Sequence, residues 1–231
     1  MIIKILTIAP EEFESFLKTP LIYRNMKSNL LDLQIIDMRD YVKGSFRKID
    51  DSPYGGGAGM ILRCEPVINA LRANSSENSH VLIMDPIGKR FDQKKAHELS
   101  KKEELIIICG HFEGFDARIY DYAEEIISIG DYVLRGGELP AMIVCEALMR
   151  LVDGSMKKES IIEESFENGM LEYPRYTRPF EFEGKKVPEV LLSGDEKKIR
   201  EYRKIEAEKL TERYRPDLLC DKEGSSQSKG E

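Results

Sequence analysis

The sequence predicts an α/β protein built on a parallel sheet, with a small and mainly helical unit appended toward the C-terminal end. Three observations carry that expectation. Five short apolar runs read as strands, helix-like segments fall between them, and the composition turns polar after residue 153 before a second, charge-rich stretch begins.

Taken in chain order, Ile2 to Ile8 is a short apolar run that carries Lys4 and is followed by Pro10 and acids, which suits a buried first strand better than a signal peptide. Pro10 to Leu17 reads as helix, Leu31 to Ile36 as strand, Glu65 to Ala73 as helix and Val81 to Met84 as strand. The alternation continues with helix at Gln93 to Ser100, strand at Leu105 to Cys109, helix at Phe115 to Tyr122 and strand at Ile126 to Ile129. Leu139 to Val152 then forms a long helix, apolar nearly all round (Ala141, Met142, Val144, Cys145, Ala147, Leu148, Leu151), which requires cover on two sides by core or by a subunit interface. The first domain therefore spans 1–153, a polar and mobile linker 154–169, a second compact unit 170–220 and a disordered tail 221–231.

At 231 residues, 41% hydrophobic and 33% charged, the chain can bury one good core plus a small second one. No run approaches the ~18 apolar residues of a membrane span, so no membrane association and a cytoplasmic location are expected. Cys64, Cys109, Cys145 and Cys220 form no Cys-x-x-Cys pair, and His80, His97 and His111 lack metal-ligand spacing, so neither zinc nor a disulfide framework is expected. The net charge of -7 argues against indiscriminate nucleic-acid binding, yet Lys197 to Arg215 holds eight basic residues against four acidic ones. That stretch fits a phosphate-facing helix, and equally a solvated helix laced with i,i+4 ion pairs.

Three loops carry the functional signal. Ser128 to Pro140 has glycines at 130, 136 and 137 between an apolar run and a helix, so its main chain can approach a flat or polar ligand. It lacks both the Gly-Lys-Ser/Thr ending of a P-loop and the spacing of a dinucleotide turn, which argues against phosphate binding. Asp50 to Met60 packs four glycines into five positions, too dense for regular structure and too short for a linker. Ile106 to Asp116 stops a buried strand at Gly110 and follows it with His111, Glu113 and Asp116, at a strand end of the kind where α/β proteins place their sites.

Ser52 to Met60 (SPYGGGAGM), Ser128 to Pro140 (SIGDYVLRGGELP), Tyr173 to Pro179 (YPRYTRP) and Val187 to Gly194 (VPEVLLSG) occur in this order, and from Met1 to about Leu219 the chain resembles the bacterial tRNA (guanine-N1)-methyltransferase family, TrmD. The resemblance implies a SPOUT-type sheet with a deep trefoil knot, a feature absent from ordinary folds and beyond any periodicity argument. It also implies a homodimer with active sites between subunits, S-adenosylmethionine as methyl donor, and N1 of the guanosine immediately 3′ of the tRNA anticodon, position 37, as acceptor. The family depends on Mg2+, for which the sequence shows no ligand cluster.

Carried over position by position, the resemblance puts the cofactor among Met84 and Pro86, then Gly110, Phe112 and Gly114, and then Ile129, Gly130, Asp131, Tyr132, Val133, Leu134, Gly136, Gly137 and Pro140. Main-chain groups and apolar side chains suit a neutral adenine and a sulfonium, with no phosphate to hold. Guanine N1 is a protonated, poor nucleophile that needs a base and charge stabilisation near O6. The resemblance assigns the base to Glu164, where the family commonly has Asp, and the O6 partner to Arg150. Glu113 matches the reader of the target guanine, and Glu172, another Glu for Asp, the contact to the preceding guanosine. Further tRNA contacts are implied at Gly55, Gly56, Gly57, Gly59, Ser160, Arg175 and Arg178, while His111-Phe112 replaces the Arg-Tyr of many members. A non-catalytic RNA-binding protein on the same fold, and a nucleotide-dependent small-molecule enzyme, are the competing classes.

Overall fold

The computed structural model describes residues 1–44, 48–157 and 161–219. Two compact units divide the chain between Met156 and Lys157. The tail 221–231 and Ser160 lie outside the described residues.

In the first unit, β1 (Ile2–Thr7), β2 (Asp32–Asp37), β5 (Ser79–Arg90), β6 (Glu104–Cys109) and β7 (Glu125–Ser128) form one sheet in the order β2-β1-β6-β5-β7. Every pairing in it is parallel. β3 (Asp50–Asp51) and β4 (Ile61–Leu62) make a separate antiparallel pair that flanks the glycine loop. Since successive side chains on a strand point to opposite faces, the central strands fill two cores. Ile3, Ile5, Leu105, Ile107, Leu82 and Met84 pack on one face, and Leu6, Ile106, Ile108, Val81 and Ile83 on the other. The first face is covered by α1 (Pro20–Lys27), α3 (Gln93–Leu99) and α4 (Glu138–Leu151), through residues such as Ile22, Leu99 and Val144. The second is covered by α2 (Cys64–Asn74), through Val67, Ile68 and Leu71, together with Phe115 and Ile119.

All five strands read from the sequence are present, but two of the helices are not α-helices. Pro10 to Leu17 resolves into 3-10 turns at Pro10–Phe13 and Phe16–Lys18, and only Ala117–Tyr122 of the 115–122 segment is helical, again 3-10. Each is too short to repay α-nucleation, and the buried Phe13, Phe16 and Ile119 anchor them instead. α1 escapes the sequence reading because it is only eight residues long and follows Thr19-Pro20, where a proline serves as first helical residue. β5 outruns its apolar core: after Met84 it bulges through Asp85 to Gly88 and resumes pairing at Lys89, so that Ile127 faces both Met84 and Lys89.

In the second unit, residues 161–169, read as linker, make turns: Phe166 N donates to Met170 O, and Glu172 N to Ser165 Oγ. β8 (Glu181–Phe182) and β9 (Lys185–Lys186) form a hairpin through Glu183 and Gly184, both at positive φ. The basic stretch is α5 (Glu196–Tyr214), started by Asp195, whose carboxylate accepts from Lys197 N and Lys198 N. Thr211 ties it inward, accepting from Leu171 N and donating to Ala207 O.

Candidate cofactor cavity and substrate loops

A cavity of about 430 Å³ opens at the C-terminal ends of β5, β6 and β7, within the size range of small-molecule sites. Its walls come from three segments that the sheet brings together: 84–87 at the β5 bulge, 110–115 after β6, and 127–130 with 132–137 at and after the end of β7, with Pro140 of α4 and Tyr120. Of the fourteen cofactor positions, thirteen line it: Met84, Pro86, Gly110, Phe112, Gly114, Ile129, Gly130, Tyr132, Val133, Leu134, Gly136, Gly137 and Pro140. Asp131 does not, and its carboxylate instead lies 2.5 Å from Arg90 Nη2.

The glycines are there because backbone meets backbone. A Cβ on Gly137 would sit 2.7 Å from Cys109 Cα and 2.8 Å from Gly110 N, and Gly137 N donates to Gly110 O at 2.8 Å. Only a residue without a side chain lets the 136–137 turn close on the strand end. Beside it, Glu138 opens α4 as a buried carboxylate and accepts from Thr7 Oγ1 at 2.7 Å, while Thr7 Oγ1 itself accepts from Ala9 N. Arg135 pairs with Glu12, so one wall of the loop is tied to the turn after β1. Cys109 and Cys145 are fully buried here, and burial raises both thiols, Cys145 to about 12, which leaves them inert packing groups.

The glycine loop joins this site through the 110–116 segment. Glu113 N donates to Met60 O, Leu62 N to Gly114 O and Asp116 N to Leu62 O. Gly59 lies directly against the Glu113 side chain: a Cβ there would come within 2.7 Å of Glu113 Oε1. Glu113 is thus an exposed carboxylate on the rim of the cavity, with Gly55, Gly56 and Gly57 exposed beyond it and Tyr54 wholly exposed at the loop's tip.

Arg150 stands in the last turn of α4, half-buried, where a cation complements the helix dipole. In the second unit Glu164 is half-buried in the 161–169 turns, its N–H bonded to Ile161 O. Glu172 pairs with Arg175 at 3.1 Å, and Arg178 is exposed. Tyr173 lies under two guanidiniums, Arg203 at 4.6 Å and Arg175 at 5.6 Å from its ring centroid, and donates to Glu163 at 2.6 Å. Burial, reinforced by the Glu163 bond, raises its phenol above the ordinary value.

Sequence reasoning missed Asp85, Tyr120 and Arg135, which also line the cavity. Asp85 had a signal, since it stands between two selected residues at a strand end, whereas Tyr120 reaches the cavity only through folding. Among the described residues no three His, Cys, Asp or Glu side chains converge so as to hold a metal ion. No helix of the described residues is long and apolar enough to cross a membrane.

A cavity at the carboxyl ends of a parallel sheet, lined by glycines and apolar side chains, free of phosphate-binding glycine-lysine turns and rimmed by a carboxylate that abuts a glycine loop, fits the class of enzymes that bind a nucleoside cofactor. Residues 1–221 match the model of the family described as tRNA (Guanine-1)-methyltransferase TrmD, and the chain belongs to that family. Relatives described as tRNA (guanine-N(1)-)-methyltransferase are 48% identical in Clostridium beijerinckii (94% of this chain, 92% of the relative) and 50% in Lactobacillus delbrueckii subsp. bulgaricus (95% and 89%). A third, in Mycoplasma pneumoniae, is 44% identical over 94% of each chain. The chain is accordingly an S-adenosylmethionine-dependent tRNA (guanine-N1)-methyltransferase, and tRNA is the substrate the family implies.

Proposed function

We propose that the chain methylates N1 of guanosine 37, immediately 3′ of the tRNA anticodon, with the cofactor in the 430 Å³ cavity and the target base at Glu113. The observation that carries this reading is the rim carboxylate of Glu113, seated where cavity and glycine loop meet. When bound, S-adenosylmethionine supplies an electrophilic methyl group on a sulfonium. Support for the fit comes from the apolar Ile129 and Leu134 and from the glycine-rich segments 110–114 and 129–137, which line the same cavity.

Glu113 recognises the Watson–Crick edge of guanine as the base docks, accepting from N1–H and the exocyclic amine, and keeps only the exocyclic amine once the N1 proton is removed. Glu164 takes the N1 proton, and Arg150 stabilises the charge that develops on O6. Both glutamates at 164 and 172 carry their carboxylates one methylene further than the aspartates common in the family. Glu172, Arg175 and Arg178, with Tyr173 and Tyr176 interleaved, suit stacking on bases and contact with phosphates. The basic α5 supports the same role, and Ser160 and the 170–220 unit are assigned to tRNA binding.

The reading includes a homodimer with active sites between subunits, supported by α4, whose Leu139 and Ile143 lie one turn apart and are about half exposed. It also includes the trefoil knot, supported by backbone passing backbone at two places: Gly137 against Cys109–Gly110, and Gly88, where a Cβ would come within 2.5 Å of Ile127 N. The knotted domain is taken as 1–153 and the linker as 154–169, and the enzyme works in the cytoplasm, where its tRNA is.

The test is methyl transfer from labelled S-adenosylmethionine to unmodified tRNA carrying guanosine or adenosine at position 37, for the wild type and Glu164→Gln. Guanosine-dependent transfer that collapses in the variant supports reaction and base together. Transfer retained by the variant moves the base elsewhere, and none by a cofactor-binding wild type favours a non-catalytic RNA-binding role.

A further inference from the structure

We infer that Asp85, held rigid by Tyr120, is the residue by which the cavity distinguishes the cationic methyl donor from its neutral, demethylated product. The inference rests on the cofactor reading of the cavity and deepens it. Besides Tyr120 and Tyr132, four of the lining side chains are ionisable: Asp85, His111, Glu113 and Arg135. Arg135 is committed to Glu12, His111 accepts from Phe112 N through its ring nitrogen, and Glu113 leans against Gly59 on the rim. That leaves Asp85 as the carboxylate on the β5 side of the cavity.

Both of its oxygens are already fixed. Oδ1 accepts from Ile87 N at 3.0 Å, and Oδ2 from the Tyr120 hydroxyl at 2.9 Å. Tyr120 is in turn locked edge-on against Phe115, at 5.9 Å between centroids, and Phe115 packs against Gly110, where a Cβ would meet its ring at 2.8 Å. Burial, then the bond to Asp85, raises the Tyr120 phenol well above its ordinary value, so the hydroxyl stays protonated and donates to the carboxylate.

A carboxylate with both oxygens engaged in this way presents few free acceptor directions. That suits a ligand group which is cationic yet has no N–H or O–H to donate, as a sulfonium is. The adenine, ribose and amino-acid groups are common to donor and product and can bond the main chain. The sulfonium charge exists only before methyl transfer, when the methyl leaves sulfur as an electrophile and the bonding pair stays behind, giving a neutral thioether. Attraction to Asp85 therefore favours loading of the donor and fades as product forms.

The experiment is calorimetric binding of S-adenosylmethionine and S-adenosylhomocysteine to the full chain, for the wild type, Asp85→Asn and Tyr120→Phe. Loss of one unit charge beside a partly desolvated cation is expected to weaken the donor on the order of tenfold in Asp85→Asn. Product affinity should stay within about twofold under the same charge argument, because no sulfonium is present. Tyr120→Phe keeps the ring contact with Phe115 and should give a smaller loss, again confined to the donor. Retained product binding also shows that each variant is folded. Equal weakening of donor and product, or no weakening of either, overturns the inference. A wild type that binds neither compound overturns the cofactor reading itself.

Discussion

Gly137→Ala is the most informative single change, because it adds one methyl group where two backbone segments touch. The new Cβ would stand 2.7 Å from Cys109 Cα, 2.8 Å from Gly110 N and 3.1 Å from Cys109 C, against an ordinary contact distance of 3.4 Å or more. All three atoms are main chain of a buried strand end, so none can swing aside. Gly137 has φ -84°, which any residue tolerates, so the cost is steric and not conformational. Relief requires the 136–137 turn to lift off β6 by several tenths of an ångström, straining the 2.8 Å bond from Gly137 N to Gly110 O. Overpacking of this kind costs about 1–3 kcal/mol. Thermal melting should fall by about 2–4 °C for each kcal/mol of destabilisation. Because the displaced turn is also a wall of the cavity, S-adenosylmethionine binding should weaken roughly tenfold, the scale expected when groups meeting one ligand geometry shift by part of an ångström. Melting curves with and without cofactor, together with calorimetric titration, measure both effects. A variant that melts and binds like the wild type would refute the claim that close approach of these segments shapes the site.

At the end of β1, Thr7→Val removes the donor to the buried Glu138 carboxylate and the acceptor for Ala9 N, and urea unfolding should show a loss of about 2–3 kcal/mol that Thr7→Ser largely restores. Gly59→Ala, at φ +79° and against Glu113, should raise KM for tRNA while leaving cofactor affinity unchanged, as steady-state kinetics and calorimetry would show together. Burial works to raise the Glu104 carboxyl, but bonds from Ser79 and Lys4 outweigh it and hold the carboxyl below its ordinary value. Its contribution is therefore present above the unfolded carboxylate value of about 4.3 and is lost as pH falls through the lower folded one. Urea unfolding from pH 7 downward should accordingly show a flatter acid limb in Glu104→Gln. Replacing Lys197, Lys198 or Arg200 on α5 by Gln should reduce the salt dependence of tRNA binding by about one unit of slope for each phosphate that is no longer neutralised, read from filter binding at several salt concentrations.

Much of this architecture is legible in the chain, for reasons that differ by element. β1, β5, β6 and β7 contain short apolar runs because strands of a parallel sheet covered on both faces are mostly apolar, and the edge strand β2 keeps Leu33, Ile35 and Ile36 beside exposed Asp32 and Gln34. The loops at 128–140 and 110–116 announce themselves through glycines that stand where main chain must approach main chain or ligand. What periodicity misreads is short. Pro10 to Leu17 has helical spacing but becomes two 3-10 turns, since Phe13 and Phe16 are held by the core and not by their own helix. The catalytic assignments to Arg150 and Glu164 have no local signal at all, and only the resemblance singles them out.

By itself, then, the sequence determined the strands, the glycine-bearing loops that line the cavity, the polar stretch after residue 153 and the family, because each is written in neighbouring residues or in motifs of a few positions. Tertiary structure alone decided the strand order β2-β1-β6-β5-β7, the bulge that turns Asp85 toward the cavity, the meeting of Tyr120 with Asp85 and of Thr7 with Glu138, and the seating of Gly59 on Glu113. The two hydrogen-bonded pairs among these join residues 35 and 131 positions apart. At such separations no local propensity acts, and the partners are chosen by which strands the two cores bring side by side.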